Sequence, residues 1–121
     1  MKKRIVVVED FNTSRQIIKR TLESMGYQVD EAADGREATR FFNGDQIDLV
    51  ISDYNMPNMD GGALVEYIRS KEQYKYIPIF VLSTETNIAK QNRAKDAKIT
   101  AWIKKPFEVI DFRKLVEKVL A

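Results

Sequence analysis

The stretch IDLVISDYNMP at residues 47–57 decides how this chain folds. Residues 47–52 form a largely apolar run, typical of a strand buried on both faces of a sheet, and Asp53 stands at its end. A loop that contains Pro57 follows, so the Asp53 carboxylate is held at the rim of the core. Such an acid is either a structural turn residue or a functional carboxylate, and the rest of the sequence decides between the two.

Apolar runs alternate with amphipathic stretches on both sides of this segment. Further strands are predicted at residues 5–8, 27–32, 77–83 and 100–104. Helical spacing predicts helices that begin after residue 12, at residue 34 and after residue 62, and others at about 87–96 and 112–120. Five β–α units imply a doubly wound α/β domain, in which helices cover both faces of a parallel sheet. In such sheets the functional site lies beyond the carboxyl ends of the strands.

The ends of the first helix carry recognisable signals. Asn12 or Thr13 is predicted to cap its start with a side chain, and Gly26 is predicted to end it. The short helix that opens at Asp34-Gly35 is predicted to run to Gly44.

Composition removes several classes of function. The 121 residues suffice for one domain, contain no cysteine and no histidine, and carry a net charge of +2. Without histidine, Ser-His and Cys-His catalysis and imidazole metal sites are excluded. The charge is too balanced for a nucleic-acid binder, and no apolar stretch approaches the roughly 20 residues of a membrane helix. We therefore expect a cytoplasmic protein with neither nucleic acid nor membrane as partner.

The predicted strand ends bring polar residues to one edge of the sheet. They are Glu9 and Asp10, Asp53, Ser83 and Lys105. Each has an ordinary structural explanation on its own, such as a helix-dipole or turn contact. Together, three acids would repel one another and raise their own pKa values, unless a divalent cation such as Mg²⁺ lies among them. An ammonium and a hydroxyl beside that cation complete a site for a phosphoryl group.

These residues resemble, in order and spacing, the receiver domains of two-component response regulators. The resemblance covers essentially the whole chain and is closest to chemotaxis members of the family, in the loops at residues 10–15 and 51–61. It implies a flavodoxin-like (βα)5 domain over residues 1–121, with strand order 2-1-3-4-5 and no output domain. The Lys105-Pro106 bond would be cis.

The resemblance also implies the chemistry. Asp53 would accept a phosphoryl group from a phosphohistidine of a histidine kinase. Asp10, Asp53 and the backbone carbonyl of Asn55 would bind Mg²⁺ directly, and Glu9 would bind it through water. The chain would be no enzyme toward other substrates, but a switch that catalyses its own phosphorylation and dephosphorylation.

Other positions would stabilise, sense or time the phosphoryl group. The stabilising groups would be Lys105, the Ser83 hydroxyl and the backbone of Thr84. Ser83 and Trp102 would form the switch, by changing position on phosphorylation. The alternative for Trp102 is an aromatic residue at the edge of the core that keeps one position. Asn55 and Glu85 would modulate hydrolysis.

Among the departures of the sequence from the family pattern, one concerns a backbone turn and another the packing of the core. Lys98 stands where glycine is usual, and a left-handed turn costs lysine more than glycine. Gly62 replaces the usual apolar residue, which loosens a core contact or starts the helix differently.

The predicted function is a stand-alone, monomeric switch that signals by phosphorylation-dependent protein binding. In chemotaxis the target would be the flagellar motor switch, contacted through Lys90, Trp102 and Lys118. The basic helix at 87–96 is either part of that surface or a solvated face. A phosphorelay intermediate is the alternative. An aspartate-nucleophile phosphatase is remote because Asn55 cannot act as its general acid, and no glycine-rich phosphate loop supports a flavin carrier.

Overall fold

The computed structural model describes residues 2–121, which alternate between strands and helices from end to end. The elements are β1 Arg4–Val8, α1 Asn12–Ser24, β2 Gln28–Ala32, α2 Gly35–Ala38, β3 Leu49–Asp53, α3 Gly61–Ser70, β4 Ile79–Ser83, α4 Ile88–Asp96, β5 Ala101–Lys104 and α5 Val109–Leu120. Short 3₁₀ turns lie at Thr39–Phe41 and Glu72–Tyr74.

The five strands form one parallel sheet in the order β2-β1-β3-β4-β5. This confirms the predicted fold class and strand order. The pairing sets Val8 beside Ser52 and Ser83 beside Lys104, so the carboxyl ends of neighbouring strands align. Residues that follow those ends therefore share one edge of the sheet.

The core has two layers, one on each face of the sheet. Alternate residues of the central strands point to opposite faces, as Val50 and Ile51 do. One layer packs under α2 and α3, and the other packs under α1 and α5. Among residues 2–121 no helix has the length and apolar character to span a bilayer.

Two local predictions about helices are wrong. Asn12 does not cap α1: it is the first helical residue, and its Oδ1 accepts a hydrogen bond from Arg15 Nη2 at 2.8 Å. The guanidinium thus takes the oxygen that a cap would have used. The second helix does not run to Gly44, because it tightens into a 3₁₀ turn after Ala38. Gly26 does follow the end of α1, with φ +94°.

The end of α4 keeps the left-handed turn although lysine occupies it. Lys98 has φ 63°, a conformation that costs a residue with a Cβ about 1–2 kcal/mol. Arg69 of α3 compensates, because its guanidinium donates to the carbonyls of Ala97 and Lys98 at 3.2 and 2.9 Å. The same side chain also donates to the carbonyls of Tyr74 and Ile77.

Acid is expected to weaken the fold through Glu31 on β2. Lys19 Nζ at 2.8 Å and Arg15 Nε at 2.9 Å lower the pKa of Glu31 to about 2. Because the folded pKa lies below the unfolded value of 4.5, these contacts stabilise the protein above about pH 4.5 and are lost as the pH falls toward 2. The pairs are partly exposed, so we expect a loss of about 1 kcal/mol or less.

Urea unfolding at several pH values measures this loss. Glu31→Gln should flatten the decline in unfolding free energy between pH 4.5 and 2. Glu117→Gln, an exposed acid on α5, is the control. Equal declines in wild type and Glu31→Gln would contradict the prediction.

Candidate functional site

Three acids gather at the carboxyl edge of the sheet. Glu9 and Asp10 follow β1, and Asp53 ends β3. One carboxylate oxygen of each lies within 4.8 Å of the others. Glu9 and Asp53 are buried, at 2% and 8% exposure, whereas Asp10 is exposed. Negative charge is therefore concentrated at this edge, and Asp10 is the acid that solvent reaches.

Lys105 brings an ammonium to the two buried acids. Its Nζ lies 2.7 Å from Asp53 Oδ1 and 3.2 Å from Glu9 Oε2. The loop that carries it is held by the Lys105 N–H, which donates to the Ser83 carbonyl at 2.9 Å, and the Lys105-Pro106 bond is cis. Burial opposes the charged ammonium, but the contacts with Asp53 and Glu9 outweigh burial and raise the pKa of Lys105.

The raised pKa of Glu9 indicates that Lys105 alone does not offset the repulsion between the buried acids. Burial first, and then the neighbouring Asp53 carboxylate, raise the pKa of Glu9 to about 7, although Lys105 acts in the opposite direction. A further cation would relieve the repulsion between these acids.

The donor set suits a hard divalent cation. Oxygens that bind one Mg²⁺ at about 2.1 Å lie at most about 4.2 Å apart. The three acids nearly satisfy this limit, and one of them can be joined through water. Among residues 2–121, no other group of three or more such side chains meets the same spacing. Asn55, whose carbonyl was predicted as a ligand, is exposed in the loop just after Asp53.

Ser83 lies at the end of β4, the next strand along the sheet from Asp53. Its side chain is 2% exposed, and its Oγ accepts a hydrogen bond from the N–H of Glu85 at 2.8 Å. Thr84 is exposed and lines, with Lys105 and Pro106, a cavity of about 480 Å³ beside the site. The hydroxyl is thus held in place by the chain that leads into α4.

Trp102 packs against the residue that follows Asp53. The ring centroids of Trp102 and Tyr54 are 5.5 Å apart at an interplanar angle of 46°, and Trp102 is half-buried against the core. Lys90 lies over the other ring of the pair, with Nζ 5.8 Å from the Tyr54 centroid. Lys118 is exposed in the last turn of α5.

A contact between α3 and α4 was missed from the sequence. Arg93 of α4 donates to both carboxylate oxygens of Glu66 at 2.7 and 3.0 Å. Gly62 lies beside this contact, since a Cβ at position 62 would lie 2.9 Å from Tyr54 Oη and 3.0 Å from Arg93 Nη1. Arg93 and Glu66 are distant along the chain, so the unusual glycine at position 62 is the only feature of the sequence that points to this contact.

Comparison with known proteins gives a consistent result. Residues 5–119 match the family model of the response regulator receiver domain. Chemotaxis protein CheY1 of Helicobacter pylori is 38% identical over 119 residues, which cover 97% of this chain and 96% of that protein. The structure of Vibrio cholerae CheY4 aligns with a TM-score of 0.90 and 38% identity, over 99% of this chain and 100% of that one.

A second similar structure holds a metal ion. The receiver domain of a sensor histidine kinase from Pseudomonas aeruginosa aligns with a TM-score of 0.89 and 25% identity, over 99% of this chain and 98% of that one. That structure has a magnesium ion coordinated in its active-site cleft.

Proposed function

Because this chain belongs to the response regulator receiver domain family, we propose that it is the phospho-acceptor switch of a two-component system and that Asp53 is its acceptor. The observation that carries the proposal is the Lys105 ammonium, 2.7 Å from an Asp53 oxygen, within a cluster of three acids. The family match and the chemotaxis relatives support it.

Asp53 would act as the nucleophile. One of its oxygens attacks the phosphorus of a kinase phosphohistidine, the P–N bond breaks, and the electron pair returns to the imidazole. Lys105, which pairs with Asp53 here, would then pair with a phosphoryl oxygen. The Ser83 hydroxyl and the backbone of Thr84 would bond the remaining oxygens. Self-catalysed transfer of this kind needs no further enzyme, only a phosphorylated donor.

Asp10 and Asp53, the Asn55 carbonyl and, through water, Glu9 would hold Mg²⁺. The ion, when bound, supplies charge neutralisation for the transferred group. The acidic cluster supports this choice, and so does the magnesium ion in the similar receiver domain from Pseudomonas aeruginosa.

The test of the function is phosphoryl uptake from acetyl phosphate. Intact-mass measurement should show one added phosphoryl group when Mg²⁺ is present and none when the metal is chelated. A mass that never increases with acetyl phosphate or with a phosphorylated histidine kinase would overturn the proposal.

Chemotaxis is the output that the relatives favour. The names of CheY1 and CheY4 support a chemotaxis role. In that role the flagellar motor switch would be the target, and Lys90, Trp102 and Lys118 would lie on the contact surface. Ser83 and Trp102 would report phosphorylation to that surface. The protein would act as a monomeric receiver domain.

A phosphorelay intermediate is the second candidate. It is favoured by the match to the receiver domain of a sensor histidine kinase. Phosphorylated protein mixed with a histidine phosphotransfer domain would lose its phosphoryl group to that domain if the relay role is right. Beryllofluoride-dependent capture of a motor-switch subunit would instead favour chemotaxis.

Mg²⁺ is expected to quench the fluorescence of Trp102, the only tryptophan. The ring rests on Tyr54, which directly follows the proposed ligand Asp53, so metal binding should alter its surroundings. Asp10→Asn should weaken the apparent Mg²⁺ affinity at least about tenfold, since even outer partners of metal ligands contribute that much. A titration at neutral pH measures both, and Asp45→Asn, at an exposed acid outside the site, is the control. Unchanged affinity in Asp10→Asn would remove this residue from the metal site.

A further inference from the structure

Glu85, in the connection between β4 and α4, has hydrogen-bond partners for its N–H, its carbonyl and both of its carboxylate oxygens. Its N–H donates to Ser83 Oγ at 2.8 Å, and its carbonyl accepts from Gln91 Nε2 at 3.2 Å. One carboxylate oxygen accepts from the N–H of Asn87 at 3.0 Å. The other lies 3.1 Å from Lys90 Nζ. Glu85 thus joins the first turn of α4 to the hydroxyl proposed to bond the phosphoryl group.

Lys90 is the charged member of this group. Its side chain is 45% exposed, whereas that of Glu85 is 20% exposed, so Lys90 is the more exposed partner of the pair. The same ammonium lies over the Tyr54 ring, 5.8 Å from its centroid. One lysine on α4 therefore touches the loops that follow both β3 and β4.

The carboxylate of Glu85 is charged at neutral pH. The N–H of Asn87 lowers its pKa most, Lys90 lowers it further, and the side chain of Asn55 acts in the same direction. The Asn55 side chain, in the loop after Asp53, thus lies near the Glu85 carboxylate, in the loop after Ser83.

We propose that Lys90 is a positioning residue that prolongs the life of the phosphoryl group by holding Glu85 between Asn55 and Ser83. The proposal rests on the function proposed above and deepens it. It assigns to α4 a part in the timing of the signal.

The step that Lys90 slows is hydrolysis of the acyl phosphate. A water oxygen attacks the phosphorus, the bond from phosphorus to the Asp53 oxygen breaks, and the carboxylate is restored. One proton of the water stays on the released phosphate and the other passes to solvent. When Lys90 holds Glu85 in place, the carboxylate restricts the approach of that water and keeps Ser83 Oγ oriented.

A consequence concerns partners that bind α4. A partner that places one of its own acidic groups against α4 would compete with Glu85 for the Lys90 ammonium. Glu85 would then be released, and the phosphoryl group would be lost sooner while the partner is bound. The contact surface and the lifetime of the signal would be coupled through one side chain.

The experiment measures the decay of the phosphorylated protein after removal of acetyl phosphate, with Mg²⁺ held constant. Lys90→Met should speed hydrolysis about two- to fivefold, the range that a partly exposed ion pair supports. Lys90→Arg should restore a rate close to wild type, because its guanidinium can still bond Glu85. Lys95→Met, which removes an exposed lysine from the same helix, should leave the rate unchanged.

A second comparison separates positioning from a general effect on α4. In a Glu85→Gln background, Lys90→Met should add no more than a small further change, because the pair is already broken. An equal acceleration in both backgrounds would overturn the proposal, and so would an unchanged decay rate in Lys90→Met. If the wild type takes up no phosphoryl group, the proposed function fails as well. Normal uptake with unaltered decay removes only the role of Lys90.

Discussion

Asp53→Asn is expected to abolish the phosphoryl adduct formed with acetyl phosphate and Mg²⁺. Asparagine keeps the size of the side chain but removes the nucleophilic carboxylate, so no acyl phosphate can form. The variant should stay folded, since the change also removes one of three mutually repelling acids. Intact-mass measurement gives the adduct, and thermal unfolding checks the fold.

The control is Asp45→Asn, an exposed acid outside the site. It should be phosphorylated as fully as wild type. Hydroxylamine, which cleaves acyl phosphates and spares serine and threonine phosphates, should remove the wild-type adduct. A stable adduct on Asp53→Asn would place the acceptor elsewhere and refute the assignment.

Gly61→Ala is expected to be the most damaging small substitution near the site. A Cβ at position 61 would lie 2.8 Å from the Cα of Tyr54 and still closer to the carbonyl oxygen of Asp53. Both are backbone atoms of the acceptor strand and its loop, and the Gly61 N–H already donates to the Tyr54 carbonyl at 2.7 Å. Because neither side can move without distorting the sheet edge, we expect a loss of about 3 kcal/mol in unfolding free energy.

Gly62→Ala is the matched comparison, one residue further along the same helix. Its Cβ would meet the hydroxyl of Tyr54 and the guanidinium of Arg93, which are the ends of side chains that can shift. The better helix propensity of alanine, worth about 1 kcal/mol, offsets that disturbance. Urea unfolding should therefore place Gly62→Ala within about 1 kcal/mol of wild type. Equal losses in the two variants would contradict the argument from backbone contact.

The arrangement of the site at one edge was predictable from sequence because its residues follow strands. Once five apolar runs are assigned to a parallel sheet, the residues after Val8, Ser52 and Lys104 must share an edge. The acids and the lysine were placed this way, and the structure brings Lys105 within bonding distance of Glu9 and Asp53, with Asp10 beside them. Periodicity also identified the buried face of α5, where Phe112, Val116 and Leu120 lie in the core.

Local hydrogen bonds were harder to predict. Asn12 is of a residue type that often caps helices, but Arg15 competes for its side-chain oxygen. A left-handed turn costs Lys98 more than glycine, yet the turn is left-handed, and Arg69 satisfies the carbonyls around it. In each case an arginine side chain, from the same helix for Asn12 and from α3 for the turn at Lys98, bonds the oxygens concerned, and the capping signals do not include it.

The sequence by itself determined the order of elements, the parallel sheet and the edge on which Asp53 stands. These depend on the period of apolar residues and on strand polarity, both of which are properties of the chain alone. Only the tertiary structure decided which side chains make contact around that edge. Lys90 lies against Glu85 and Tyr54, and Arg93 bonds Glu66, on a helix whose one buried residue is Ala94. Such contacts depend on distances of a few ångströms between separate elements, and no pattern in the chain records them.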